Sequence, residues 1–502
     1  MNMRFKSALI FSFFLLFTSL SGQPTTSSSV PYSPSNRPRM VAEWESAIGV
    51  LIAWPLSIPK ELVIELSKDT KLYMLVENTK ARQEAAQWLT KWDVMPDRVR
   101  FITAPQGIDV SWTRDWGPHA VFSPEGDLKL ADAKYLFATP VTGIHCDDTL
   151  HFLYYDQNHQ IEQTKIDDAI PDFIGAALDV DVVKLPFAFT GGNVISDGQE
   201  SGFSTCALLN ENRYTGVTED SFYTKVNRQL GMDHYHVISN FENHGIQHID
   251  CFMKMLDEDR LFVLRPPKTH PLYDQYEGIV NQELSKLKNA HGRPYKILRL
   301  DTDVYEGNEL AAYSNSLILN QTVYVPLFGI HQDTVALRQW AEAMPGYTIK
   351  GFSFPLSHAK KLAYYRPQVY DLYGSIGWNG GDALHCRTRA IWDPNMIYMS
   401  VDRLQDTLLK AKSYTINVII KDYSKGSLVQ DGLLLDWHVV GEKNWKTVKL
   451  TPTDYKDQYS ANIPGNMADV KIEYYVEAKS NWGTKAVMPR TAPKGFYSFT
   501  VN

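Results

Sequence analysis

Cysteine is scarce in this 502-residue chain: only Cys146, Cys206, Cys251 and Cys386 occur. Four are too few for a disulfide scaffold, even in an exported protein. One bridge among the first three is possible, and sequence alone does not pair them. Basic excess is missing as well. The formal net charge is -7, so no positive field points to nucleic acid. Past the N-terminus no long apolar run occurs, so no membrane span is expected in the mature chain. The paired glycines Gly191-Gly192 lack the helical pattern that would make them a phosphate loop. What is there is 44% hydrophobic and 21% charged, an ordinary globular balance with length for more than one domain. Twelve Trp and 27 Tyr favour packed β structure.

The chain opens on an address. Arg4 and Lys6 precede an apolar run from Ala8 to Phe17, and small residues Ser19, Ser21 and Gly22 follow. This reads as a secretory signal peptide over 1–22, cut near Gly22-Gln23. The run is short for a membrane anchor. Residues 23–39, rich in Ser, Thr and Pro, read as a flexible leader. Val50 to Trp54 and Leu72 to Val76 then read as strands, and Glu61 to Ser67 and Ala81 to Trp92 as helices. Strand and helix alternation of this kind predicts an α/β domain. Strand patterns at Leu261–Leu264, Tyr324–Gly329 and Tyr347–Phe352, with a helix at Val335–Ala343, continue it. A boundary is expected at Ala411–Ser413. Beyond it Ile416–Ile420, Leu433–Val440 and Val470–Ala478 alternate without helical pattern, which fits an immunoglobulin-like β-sandwich.

Four stretches carry chemistry. Cys386 follows Gly380-Gly381 and sits between His385 and Arg387, where nearby cations favour a reactive thiolate; a small buried core residue fits as well. Trp112-Thr113-Arg114-Asp115-Trp116-Gly117-Pro118 offers a carboxylate walled by indoles, although alone it also fits a surface turn. Phe189-Thr190-Gly191-Gly192-Asn193 reads as a glycine-rich turn. In Ile246-Gln247-His248-Ile249-Asp250-Cys251, a strand would put Ile246, His248 and Asp250 on one face, where His248 and Asp250 can form a proton-transfer and cation-binding pair; a satisfied buried histidine fits as well and is the commoner fate of a lone His. A metal cluster of His244, His248, Asp250 and Cys251 is disfavoured, because opposite strand faces do not converge.

Together and in this order, these motifs resemble the guanidine-modifying superfamily, specifically its agmatine-deiminase-like branch. Within that branch the likeness is to the secreted bacterial peptidylarginine deiminases. It runs from about Met40 to about Arg403 and extends to the signal peptide and the C-terminal domain. The resemblance implies a five-bladed α/β propeller, the pentein fold, as a catalytic domain over 40–410, followed by the immunoglobulin-like sandwich over 413–502. It implies a secreted enzyme, periplasmic or extracellular, with no cofactor and no metal, calcium included. The implied reaction is hydrolytic deimination of peptide or protein arginine to citrulline and ammonia. The alternative is an exported agmatine deiminase giving N-carbamoylputrescine.

By the same resemblance Asp115 and Asp250 bind the guanidinium, Cys386 attacks it and His248 moves the protons. Asn315 lies near the substrate backbone or the thiolate, and Trp112 and Ile246 wall the substrate methylenes. Two departures bear on substrate. Where many agmatine deiminases carry a Glu before the paired glycines, this chain has Thr190. Where a secreted peptidylarginine deiminase carries two carboxylate-clamping arginines, Tyr135 to Thr139 contains none; Arg213 is the alternative clamp. A binding protein that has lost catalysis is the third possibility, and the intact Asp, His, Asp and Cys set argues against it.

Overall fold

The computed structural model describes residues 33–136, 139–140, 143–146, 152–153, 164–243, 245–354, 377–378, 381–465 and 467–502. The signal peptide, most of the leader, His244 and Gly380 lie outside these. Ser33–Asn502 forms one compact unit. The leader expected over 23–39 ends earlier than the sequence pattern suggests. Ser33 donates to Asp457 at 2.6 Å, and Arg39–Met40 is a strand paired to Val121 and Phe122. Arg39 is fully buried and held by both oxygens of Glu45. A buried guanidinium with a bidentate carboxylate is fixed structure.

One supersecondary unit recurs five times: a hairpin, then a helical crossover to a parallel strand. Ile195–Ser196 pairs antiparallel with Ser201–Thr205, which pairs parallel with His234–Ile238. Met253–Asp257, Arg260–Arg265 and Lys296–Asp301 repeat the pattern. So do Leu317–Leu319, Thr322–Leu327 and Thr348–Ser353. His119–Phe122, Leu128–Lys134 and Val182–Ala188 do the same, with Arg39–Met40 on the outer edge. The fifth sheet joins distant parts of the chain. Arg389–Trp392 pairs antiparallel with Ala47–Ala53, which continues in parallel to Lys71–Val76 and Val99–Thr103.

Local chemistry sets these units. Asp197 accepts from the backbone N–H groups of Gln199 and Ser201, and Gly198 takes φ +75°, so the Asp-Gly pair turns the first hairpin. The crossover helix Glu219–Leu230 starts on Thr218, which accepts from Ser221 N, and stops at Gly231 with φ +76°. Its buried residues Phe222, Val226 and Leu230 share one stripe.

Two further sheets, largely antiparallel, close the chain. One contains Ile397–Asp402, Ser413–Asp422 and Gln458–Pro464; the other is built around Leu434–Val439, Val470–Lys479 and Tyr497–Val501. Alternate residues of both, such as Ile416, Val418, Leu435, Ile472 and Phe499, meet in one apolar core. Ile397–Asp402 pairs along its whole length with Ser413–Asp422. The boundary expected at Ala411–Ser413 therefore falls inside this sheet.

Candidate active site

Each of the five α/β sheets contributes the segment just before its first hairpin strand. The short helix Thr113–Trp116 precedes His119–Phe122 and carries Asp115. The turn Gly191–Asn193 precedes Ile195–Ser196. The turn Ile249–Cys251 precedes Met253–Asp257 and carries Asp250 beside His248. Asn315 precedes Leu317–Leu319, and Cys386 precedes Arg389–Trp392. The strand expected over Ile246–Cys251 does not form. Gln247 takes φ +54° and the chain coils into a single turn at Ile249. His248 and Asp250 share a side through that turn, not through a strand pleat.

Buried side-chain bonds pin these segments to one another. Asn193 accepts from Ile249 N at 3.1 Å and Thr205 N at 3.0 Å. Asn315 accepts from the backbone N–H groups of His385 and Cys386 at 2.8 and 3.2 Å. Its amide nitrogen faces Cys386 Sγ at 3.1 Å. Cys386 O accepts from Arg114 N at 3.0 Å. The structure thus brings together Asp115, His248, Asp250, Asn315 and Cys386, all buried. Ile246 lines an adjoining cavity with Cys251 and Gly381. Trp112 packs, partly buried, on the apolar cluster holding Trp116 and Tyr135. Phe137 and Ala138 lie outside the described residues.

The glycine turn stands inside the site. A Cβ on Gly192 would lie 2.5 Å from Asp115 Oδ1, 2.8 Å from His248 Nδ1 and 3.3 Å from Asp250 Oδ2. Gly192 N also donates to Asp115 Oδ1 at 2.9 Å. Only the absence of a side chain leaves two carboxylates and an imidazole facing one small space. Gly192→Ala is therefore expected to fold and to lose about 10²-fold in kcat/KM, the size of effect that a 1 Å misplacement produces. A steady-state rate within threefold of the parent would show that this space is not used.

Electrostatics separate the groups. His248 Nδ1 lies 3.5 Å from Asp115 Oδ1, an ion pair without a hydrogen bond. Burial pulls His248 down, but Asp115, Glu211 and Asp250 carry it up to about 9, so it is imidazolium at neutral pH. Burial raises Asp250, yet the His385 hydrogen bond and the charges of His385, His248 and Lys254 bring it below the ordinary carboxylate range. A hydrogen bond from Cys251 lowers the Cys386 thiol, but burial with Asp250, Asp382 and Asp115 outweighs it and pushes the thiol up to about 11. The cationic neighbour expected from sequence is spent elsewhere. Arg387 Nε donates to Asp382 at 2.9 Å and Nη1 to Ser57 O at 2.8 Å.

Sequence reasoning missed a relay behind Asp250. His385 Nδ1 lies 2.6 Å from Asp250 Oδ2, and its Nε2 lies 2.9 Å from Glu43, which also meets Lys254 at 3.1 Å. Burial raises Glu43, but His385, Lys254 and Arg114 hold it well below the usual range. Glu211 was also missed. It accepts from Thr190 Oγ1 at 2.9 Å, and burial raises it to about 7. Neither Glu43 nor Glu211 lies in a motif, so no local signal marks them. Cys146 and Cys206 form a disulfide, leaving Cys251 and Cys386 as the free thiols.

The sequence profile of the Porphyromonas-type peptidyl-arginine deiminases matches residues 39–355. The chain belongs to that family. The matched span carries Asp115, His248, Asp250 and Asn315 and stops short of Cys386. These deiminases are hydrolases of amidine C–N bonds acting on guanidine substrates. Relatives of this family member include proteins assigned by name as agmatine deiminases. One, from Mycoplasma mycoides, is 22% identical over 346 residues, covering 62% of this chain and 89% of its own. Another, from Lactococcus lactis, is 23% identical over 355 residues with the same coverage. The solved agmatine deiminase of Enterococcus faecalis superposes with a TM-score of 0.52 at 20% identity, covering 72% of this chain and 98% of its own. A Porphyromonas gingivalis structure named as an arginine deiminase gives 0.50 at 20% identity, covering 71% and 98%. The fold is accordingly the α/β pentein fold. Among the described residues no helix is long and apolar enough to cross a membrane.

Proposed function

We propose that this deiminase converts the guanidinium of peptide or protein arginine to a ureido group and ammonia, with Cys386 as nucleophile. The carrying observation is the space at Gly192, faced by Asp115, His248 and Asp250, with Cys386 Sγ 3.8 Å from Asp250. A planar cation between two carboxylates is held by charge-assisted paired hydrogen bonds. The bound cation also offsets the negative charges that keep the Cys386 thiol protonated, so substrate entry favours the thiolate. The thiolate adds to the guanidinium carbon. His248, charged at rest, gives its proton to the departing nitrogen, and ammonia leaves a thiouronium. Neutral His248 then takes a proton from water as it attacks, and collapse returns the Cys386 thiolate. His385 and Asn315 keep Asp250 and the sulfur in place. In this reading the five α/β sheets are the blades of a five-bladed propeller around the site. The last two sheets are an immunoglobulin-like sandwich outside the chemistry, and residues 1–22 direct export.

The two titrating groups set the pH profile. The free enzyme needs thiolate with imidazolium, and their values stand near 11 and 9. Below about pH 9 the imidazolium is full and the thiolate fraction grows about tenfold per unit. Hence kcat/KM should climb steeply from pH 7 to about 9, while kcat, reporting the complex, should rise earlier. A kcat/KM that is flat from pH 6 to 9 would contradict the resting charge state.

Substrate choice follows from the missing clamp. Tyr135 to Thr139 has no arginine, and Arg213 donates to Cys146 O at 3.0 Å while its other nitrogen lies beside Glu219. A charge-assisted clamp is worth about 1.5–3 kcal/mol, or roughly tenfold and more in discrimination. A peptide ending in arginine should therefore exceed its C-terminal amide by less than about tenfold in kcat/KM. A larger preference for the free carboxylate would place a clamp on another loop. One observation favours the second reading, agmatine. The carboxyl of Glu211 reaches Thr190, where many agmatine deiminases have their Glu. A ureido-product assay across agmatine, free arginine and arginine peptides decides between the readings. Agmatine as the sole substrate would overturn the protein-arginine reading.

A further inference from the structure

We infer that Cys251, Cys386 and Asp250 form a binding site for a thiophilic divalent ion of the zinc class, one that switches the enzyme off. The two thiols and the carboxylate each present an atom within 4.8 Å of the others, and all three residues are buried. Asp250 spans the pair: Oδ1 lies 3.5 Å from Cys251 Sγ and Oδ2 lies 3.8 Å from Cys386 Sγ. With zinc–sulfur bonds of about 2.3 Å and zinc–oxygen bonds of about 2.0–2.2 Å, a tetrahedral ion needs sulfur–oxygen edges of about 3.5 Å. Both sulfur–oxygen distances are near such an edge, each through a different carboxylate oxygen, so small side-chain rotations would bring two thiolates and one oxygen onto one ion and leave the fourth position for water.

The surroundings meet the further requirements of an ion site, which are an outer partner and a way in. His385 Nδ1, at 2.6 Å, fixes the Asp250 carboxylate, as outer partners of metal-bound carboxylates do. Asn315 Nδ2 reaches both sulfurs, at 3.1 Å to Cys386 and 4.0 Å to Cys251. Cys251 and Gly381 also line a cavity of about 120 Å³ whose wall includes Glu242, Gln247 and Glu309, an entry that favours cations. Cys251 takes no covalent or proton-transfer step in the proposed deimination, and its Sγ is held 2.7 Å from Gly381 O, beside the Cys386 loop. Binding moves no electrons. Two S–H bonds give their protons to the buffer and two sulfur–metal bonds form. The site itself does not depend on the reaction. Inhibition does rest on Cys386 being the nucleophile, since the ion occupies that sulfur and one guanidinium-binding carboxylate.

The full-length protein should be freed of metal with a chelator and titrated with Co²⁺ or Cd²⁺ alone, following thiolate-to-metal charge transfer. Cys146 and Cys206 are bridged, so the band reports only this pair. Expected is one ion per chain with a two-thiolate band, and Zn²⁺ inhibition at the same stoichiometry. In Cys251→Ser the band should fall by about half. The affinity and the Zn²⁺ inhibition should weaken by about 100-fold, since even outer-partner changes cost about 10–100-fold. The Zn²⁺ inhibition of each protein is read against its own chelator-treated rate, since Cys251 also lowers the Cys386 thiol. Should Cys251→Ser fold poorly, Cys386→Ser gives the same halved band from the other side. Equal ion affinity in wild type and Cys251→Ser, or no thiolate band, overturns the site. A two-thiolate band with undiminished activity keeps the site and removes Cys386 as nucleophile.

Discussion

Cys386→Ala is expected to lower ammonia release by more than about 10⁴-fold, the loss seen when a covalent nucleophile is removed. The fold should remain. Cys386 is held by its backbone: its N–H donates to Asn315 and its carbonyl accepts from Arg114 N. Neither bond involves the sulfur. The neighbouring thiol of Cys251 does not substitute, because its hydrogen bonding with Cys386 and then its burial raise it well above an ordinary thiol. A haloacetamidine should label Cys386 and spare Cys251 in native protein, read by peptide mapping. Substantial ammonia release from well-folded Cys386→Ala would remove the assignment.

His248→Gln is expected to cost about 10²–10⁴-fold in kcat, the usual worth of a positioned acid–base group. Glutamine fills similar space but carries no transferable proton. The backbone around it is secured independently: Thr205 Oγ1 donates to Gln247 O at 2.5 Å and Asn193 accepts from Ile249 N. The variant should therefore bind substrate and fail at ammonia departure, so kcat falls far more than KM changes. The residual kcat/KM should keep climbing past about pH 9, because the thiol still titrates and the imidazolium no longer does. A variant retaining parental kcat with a raised KM would reduce His248 to a binding group.

Much of the site was legible because its residues travel in compact motifs with unusual chemistry. Asp115, His248, Asp250, Asn315 and Cys386 are each within a few residues of the strand that positions them, and the structure gathers all five. Sequence could not show why they gather. The rule that each sheet offers the segment before its first strand is a property of topology. The reading of Ile246–Cys251 as a strand failed for a local reason: the left-handed Gln247 breaks the pleat. The glycines at Gly191 and Gly192 looked structural because their partners, Arg114 and Asp115, are distant in sequence. Arg387 stands next to Cys386 in sequence, but its guanidinium is held by Asp382. Glu43, Glu211 and the Cys251–Cys386 pairing depend on contacts between remote segments, which no periodicity records. Strand alternation in the C-terminal part was read correctly as β structure. Its first strand, Ile397–Asp402, was missed because it lies before the apparent boundary.

The most direct measurement is acid quenching during turnover of an arginine peptide, followed by mass mapping of the trapped enzyme. Expected is an adduct equal to substrate less ammonia on the peptide bearing Cys386, absent from Cys386→Ala. Its yield should fall in His248→Gln, which fails at ammonia departure, the step that forms the adduct. Ureido product forming without such an adduct, or an adduct on Cys251, would contradict nucleophilic catalysis by Cys386.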